Sequence, residues 1–279
     1  LEGETAESLG LFRERALPDL GRNIQCGNSL IGTDIMTTDA WQQMPEEERR
    51  RINPFDFERH FPRVFKQGGF DVVIGNPPYG AFASDAEAPY LRERFQTLAN
   101  SLDTFIMFVE RSASWLVDGG KLGLIIPSGW VSTPSSRPLR AFFLRSFTPD
   151  SFVSLPFDVF GGAYIDAVIV TGGRHEHDEP SERPVELIVF PHRYKIAAST
   201  DFETFRKVGD ARSWSRTTEM EFLITCSETE LALMQKVRSV PDVVGDVVSI
   251  KRGIETYDLH DDASTLRNPK YAFDGVLQR

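Results

Sequence analysis

A chain of 279 residues with 41% hydrophobic content can bury one large core or two smaller ones. Its formal net charge of −10 argues against a free-standing nucleic-acid binder, because neutralising phosphates takes Lys and Arg, although a locally basic face remains compatible. No apolar run approaches the ~20 residues of a membrane span, and Cys26 and Cys226 stand far apart outside any metal-type spacing, as expected in a reducing cytoplasm.

In chain order, residues 1 to 20 read as the end of a charged helix stopped by Pro18. They lack the basic-then-apolar order of a signal peptide and an initiator Met, which suggests that a longer chain has been cut. Asn23 to Gly32 reads as a short strand and a polar turn at Gly27, Asn28 and Ser29. Between Trp41 and Arg51, Glu46–Arg50 and Glu47–Arg51 have the spacing of exposed helical ion pairs, which marks a solvated face. The aromatic-rich stretch Phe55 to Phe65 is expected to pack beneath the strand that follows.

The most informative stretch is Phe70 to Tyr79, F-D-V-V-I-G-N-P-P-Y. Val72, Val73 and Ile74 predict a buried parallel strand that Gly75-Asn76-Pro77-Pro78 cannot continue. Two prolines fix φ and remove donors, and the residue before each is pushed out of the helical region. The result is a rigid turn at the carboxyl end of a strand, where open α/β sheets hold ligands. It presents the Asn76 amide, the Pro77 carbonyl and the Tyr79 ring. Two adjacent acceptors can bind one NH2 group and turn its lone pair out of an attached ring toward an electrophile. An equally simple role is a tight strand-to-loop turn in which Asn76 caps a backbone group.

Ala81 to Asn100 reads as a polar loop with one helical piece. Ser101 is the expected N-cap of a helix carrying Leu102, Phe105, Ile106, Val109, Ala113 and Leu116 at helical spacing, with Asp103 near its positive end and Gly119-Gly120 as its stop. Lys121 to Pro127 predicts the next buried strand, and a helix follows from about Ser136 to Phe147. Further strands are expected at Phe152 to Leu155, Ile165 to Thr171 and Val185 to Phe190, the last two pairing as a hairpin across the polar loop Gly172 to Pro184. Composition shifts near residue 191, which is taken as a domain boundary between 1–190 and 191–279. Beyond it, Glu228 to Val237 reads as a helix and Val247 to Arg252 as a strand ending at Gly253.

N-P-P-Y after a strand resembles the amino-methyltransferases that use S-adenosylmethionine, and the longer pattern is similar to their gamma-class, adenine-specific DNA members. The nearest likeness is to the catalytic domains of type IIG restriction–modification and phage-defence enzymes, where a target-recognition domain follows. The match spans Asn23 to about Thr171 and resumes weakly near Val247 to Thr256. The resemblance implies an α/β, Rossmann-like methyltransferase sheet, mostly parallel, flanked by helices and ending in an antiparallel hairpin, then the start of a smaller mixed domain. It also implies S-adenosylmethionine as cofactor and, as partner, double-stranded DNA with a flipped adenine.

Carried over residue by residue, Asn76 and Pro77 would hold the target amine, Pro78 would complete the catalytic turn, and Tyr79 would stack on the flipped adenine. D-T-F-I-M-F places Asp103 at the head of the family's cofactor helix and nominates Phe108 against the cofactor's adenine; helix core is the alternative for Phe108. Asn28 stands where the family has an acid on that adenine's amine, and a plain Asx-turn serves as well. V-F-G-G-A-Y nominates Phe160 for the other face of the target base, or for the core.

Residues 1 to 22 contain no glycine-rich cofactor loop and no acid for the cofactor's ribose. The resemblance therefore implies a sheet incomplete in its N-terminal half and a need for an upstream part of the same polypeptide. The isolated chain is expected to bind S-adenosylmethionine poorly or not at all and to be inactive alone. Protein-glutamine methyltransferases share N-P-P-Y but end soon after the final hairpin, and a non-catalytic DNA-recognition fragment is a third reading. His175 and His177 lack further ligands at suitable spacing, so no metal is expected. Arg193, Lys195, Arg206, Lys207, Arg212 and Arg216 form a candidate phosphate-contacting set.

Overall fold

The computed structural model describes residues 20–21, 23–80, 83–98, 102–157, 159–160, 165–175, 184–215, 217 and 219–239. Its contacts divide the chain into two compact units, Leu1–Cys226 and Ser227–Arg279.

Among the described residues of the first unit, a 3-10 turn (Thr33–Thr37) is followed by four short helices, α1 (Asp39–Gln43), α2 (Glu46–Ile52), α3 (Phe57–His60) and α4 (Pro62–Phe65). The expected strand at Asn23–Gly32 reduces to one bridge, Asn28 with Pro54. Its residues instead anchor a local core, in which Leu30, Ile31 and Ile35 pack with Trp41, Ile52 and Met107. The ion pair Glu46–Arg50 forms at 2.5 Å on an exposed face, as the helical spacing predicts.

Strand β1 (Phe70–Gly75) comes next, then α5 (Ala88–Arg94), α6 (Thr104–Trp115), β2 (Leu116–Pro127), α7 (Arg137–Ser146), β3 (Phe147–Ser154), β4 (Ala167–Arg174) and β5 (Pro184–Val189). Two boundaries differ from expectation. Asp103, not Ser101, is the N-cap of α6, and Ser101 lies outside the described residues. Helix α6 stops at Trp115, ahead of the glycine pair, because the chain enters β2 at once: Leu116 already pairs with Phe70, and the register slips before Val72 meets Lys121. Gly119, at φ +77°, takes up that slip.

The six strands form one mixed sheet in the order β1-β2-β4-β3-β5-β6, where β6 is Arg206–Asp210. β1 and β2 are parallel, β4 runs antiparallel between β2 and β3, β5 is parallel to β3, and β6 closes antiparallel on β5. This corrects two expectations. The sheet is mixed rather than mostly parallel, and β4 and β5 do not form a hairpin with each other. Both of β4's edges are taken, by β2 and β3, so β5 has to join the far side of β3. Pro149 enters this inner strand without penalty, at the irregularity between Pro149 and Ser151 and ahead of the β5 pairing, where its missing N–H is not needed.

On one face, Leu122, Leu124 and Ile126 of β2 and Val168 and Val170 of β4 pack against Phe105, Val109, Leu139 and Phe143. The alternating buried positions of β2 are the two-residue period of a strand with unlike faces. Arg140 is fully buried in this core. Its guanidinium donates to the carbonyls of Trp130 (2.6 Å), Thr133 (2.8 Å), Glu219 (2.7 Å) and Met220 (3.0 Å). It thereby fastens residues 219–220 under the turn that follows β2. On the opposite face Val153, Leu155, Ala167, Ile188 and Phe190 form a second cluster.

Where composition suggests a boundary near 191, β6, α8 (Thr200–Thr204) and α9 (Ala211–Ser215) continue the first unit, and the division falls after Cys226. In the second unit the described residues form α10 (Glu228–Arg238). A Ser227–Glu230 capping box begins it: Ser227 N donates to Glu230 Oε2 at 2.7 Å and Glu230 N to Ser227 Oγ at 3.3 Å. The readings on residues 1–19 and on Val247–Arg252 fall outside the described residues.

Candidate active site

Strand β1 ends at Gly75, and Asn76-Pro77-Pro78-Tyr79 leaves it without regular structure. Asn76 and Pro78 are exposed, Pro77 is buried and Tyr79 is half-buried. One contact within the turn and two from neighbouring elements hold it. Tyr79 Oη lies 2.5 Å from Asn76 Oδ1 and 2.9 Å from the Ile125 carbonyl of β2. A phenol carries one proton, so the two acceptors share it. Thr104 Oγ1, in the first turn of α6, donates to the Pro78 carbonyl at 3.0 Å. Gly80 follows at φ +61°, a left-handed conformation that favours glycine.

Two titratable groups respond to this setting. Burial pushes the Tyr79 phenol above its ordinary value, so it stays protonated and donating at neutral pH. Burial also raises the Asp103 carboxyl, opposed by the backbone amides of Phe105, Gly80 and Thr104. The amino end of α6 thus meets the turn at Gly80 through Asp103 and at Pro78 through Thr104.

A slot of about 440 Å³ opens beside the turn. Asn76, Pro77 and Pro78 line its mouth, Val72 and Ile74 one side, and Phe57, Phe108 and Trp115 its aromatic walls. The Trp115 ring centroid is 4.5 Å from that of Phe57 and 6.5 Å from that of Phe108. Ser29 also faces the slot, while the hydroxyl of Ser112 is spent on the Phe108 carbonyl at 2.7 Å. A mostly apolar slot with a few polar groups at its rim fits a flat heteroaromatic ring.

The structure therefore brings Asn76, Pro77, Pro78 and Phe108 together at one slot and leaves the other nominated residues outside its lining. Asn28 makes an Asx-turn, its Oδ1 accepting from Leu30 N at 3.0 Å, and the residue on the slot is Ser29. Asp103 is the N-cap residue of α6, five residues before Phe108 reaches the slot wall. Tyr79 sits at the turn's far end, tied to β2. Phe160 packs half-buried against the cluster of Val153, Leu155 and Phe190. Sequence reasoning missed Ser29, Phe57, Trp115 and Thr104. The Phe55–Phe65 aromatics were the available signal for Phe57. No group of three or more His, Cys, Asp or Glu arranged for a metal occurs among the described residues, and His177 lies outside them.

Residues 13–160, more than half of the chain, match the family model described as Eco57I restriction-modification methylase. The chain belongs to the Eco57I restriction-modification methylase family. The match includes the turn, the slot and helix α6. Among relatives, a protein of Methanocaldococcus jannaschii provisionally named as a type II restriction enzyme and methyltransferase is 35% identical over 149 residues, which is 53% of this chain and 12% of that protein. RM.Eco57I of Escherichia coli, a type II restriction enzyme and methyltransferase, is 33% identical over 147 residues, 51% of this chain and 13% of its own length. The type II methyltransferase M.PaeR7I of Pseudomonas aeruginosa is 37% identical over 92 residues, 32% of this chain and 16% of its own length. The chain thus aligns with only a small part of each.

Proposed function

We propose that this chain forms the amine-holding part of a DNA methyltransferase. The reaction moves a methyl group from S-adenosylmethionine to the exocyclic amine of an adenine flipped out of double-stranded DNA, within a cytoplasmic restriction–modification or phage-defence enzyme. The observation that carries this reading is the proline-locked Asn76 turn set against an aromatic-walled slot.

When bound, S-adenosylmethionine supplies an electrophilic methyl on sulfur. The chain's own residues do the rest. Asn76 Oδ1 and the Pro77 carbonyl accept the two N–H bonds of the target amine, which turns the nitrogen lone pair out of the ring and toward the slot. Asn76 Oδ1 has a second lone pair, so it can keep its bond to Tyr79 while accepting the amine. Tyr79, anchored by its hydroxyl to β2, offers its ring to a base that has left the duplex stack. Fixing the amine and the methyl donor in one geometry supplies much of the rate. Phe108 and Ser29, which line the slot, would hold the adenine of the cofactor.

One wall of that slot is open. β1 stands at the end of the sheet, and its Val72 and Ile74 are 57% and 84% exposed. An upstream segment of the same polypeptide is the proposed cover, pairing with this edge and completing the cofactor site. Calorimetry on the chain alone should accordingly detect no tight binding of S-adenosylmethionine; micromolar affinity would contradict the missing wall.

The function itself is tested with the complete protein, incubated with duplex DNA and methyl-labelled S-adenosylmethionine. Digestion to nucleosides should place the label in N6-methyladenine. Label in protein glutamine, or none in DNA, would overturn the reading.

A further inference from the structure

The strand registers put five strand ends along one edge of the sheet. Gly75 is level with Leu124, Pro127 faces Ala167, and Ser154 is level with both Val168 and Val189. The Asn76–Tyr79 turn, the turn after Pro127, the loop after Ser154 and the segment Pro191–Ile196 therefore all leave from that edge. Backbone bonds join them: Ser128 N donates to Asp166 O at 2.7 Å, Phe157 N to His192 O at 2.7 Å, and Phe190 N to Ser154 O at 3.1 Å. From β1 to β5 is four strand spacings, or roughly 19 Å.

Segment Pro191–Ile196 carries two cations that the fold does not use. Arg193 and Lys195 are exposed and make no hydrogen bond or ion pair among the described residues. The other described members of the basic set are occupied. Arg206 pairs with Glu186 at 2.5 Å and Glu203 at 2.8 Å, Arg212 with Asp210 at 3.0 Å, and Lys207 donates to the Cys226 carbonyl at 3.2 Å. The nearby acids are engaged as well. Asp201 accepts from Ala197 N and Ala198 N at 2.7 and 3.0 Å, and Asp166 lies 3.9 Å from the His192 ring. Around Arg193 and Lys195 runs an open groove of about 510 Å³ whose other walls are Phe157, Val159, Tyr194 and Ile196. Such walls take the aliphatic stems of Arg and Lys and leave their charged heads in water.

We propose that Arg193 and Lys195 bind phosphates of the DNA backbone some way along the strand from the target base, which makes the loop edge of the sheet the DNA-facing surface. The proposal rests on the DNA-methyltransferase reading above. Phosphates of one strand follow one another every ~3.4 Å along the duplex axis. A lateral offset of roughly 19 Å thus places the contacts about five or six nucleotides from the base held at Asn76. In a chain of net charge −10, two uncommitted cations on the same edge as the amine-holding turn match a polyanion lying along that edge.

The test uses the complete protein and a fluorescent random-sequence duplex, titrated over a series of salt concentrations. Each neutralised phosphate contributes about 0.9 to the slope of log K against log salt. The Arg193→Gln/Lys195→Gln double variant should lower that slope by about 1.8. Arg206→Gln, a cation already neutralised within the fold, should leave it unchanged. A wild-type slope in the double variant, or an equal fall in Arg206→Gln, overturns the proposal. Methyl transfer to DNA by the same preparation separates the outcomes. Transfer with an unaltered slope removes only the phosphate contacts, whereas a wild-type protein that neither binds nor methylates DNA removes the methyltransferase reading as well.

Discussion

Asn76 is the exposed end of a short chain of fixed groups. Its amide oxygen meets a phenol that also reaches β2, and two residues on, the Pro78 carbonyl meets Thr104. A hydrogen bond of this kind is worth about 1 kcal/mol in stability. Its larger use here is positional, since small misplacements of a reacting group are costly in rate. Thr104→Val should therefore lower the single-turnover methyl-transfer rate by about three- to tenfold, with DNA affinity unchanged, and Thr104→Ser should restore it. An effect on DNA affinity alone, or no rescue by Ser, would show that Thr104 does not position the turn. The four residues of the turn were legible because two prolines and a glycine leave the backbone few options. Thr104 was not, because its bond to Pro78 spans 26 residues. Ser29 was hidden for a different reason: Asn28 carries the more conspicuous amide, but it spends that oxygen on Leu30 N.

At the scale of elements, helix α6 and strand β2 read easily from their apolar spacing, yet the strand order did not. Pairing is a non-local choice, and the stretch Gly172 to Pro184 looks locally like a hairpin loop. Glycine decides part of the outcome. A Cβ at Gly172 would stand 2.9 Å from the Thr148 carbonyl of β3, so the close approach of β4 to β3 needs a residue without one. The turn after β2 is likewise set from a distance, by Arg140 of α7. Burial lowers the pKa of this guanidinium, and Glu221 and Glu219 oppose the shift. Arginine's ordinary pKa is so high that it stays charged throughout the working range. Arg140→Met keeps an apolar stem but strips four carbonyls of their donor. It should cost roughly 3 kcal/mol or more in urea unfolding. A loss below about 1 kcal/mol would mean that water or relaxation replaces the guanidinium.

At the scale of the whole molecule, the described sheet carries the turn on an edge strand. From β2 to β5 every strand is paired on both sides, whereas the edge strand β1, which carries the turn, exposes Val72 and Ile74. The proposed amine-holding turn and the slot's aromatic walls lie within this chain, and the proposed cover of the slot comes from upstream. That division is the ground for predicting that the chain alone binds the cofactor weakly. The central claim is that Asn76 holds the target amine. It is tested most directly by single-turnover methyl transfer from S-adenosylmethionine to duplex DNA, comparing the complete wild-type protein with its Asn76→Ala variant. Asn76 is exposed, so the variant should fold and bind DNA as the wild type does while its rate falls by about a hundred- to a thousandfold. A rate within about threefold of wild type would contradict the assignment.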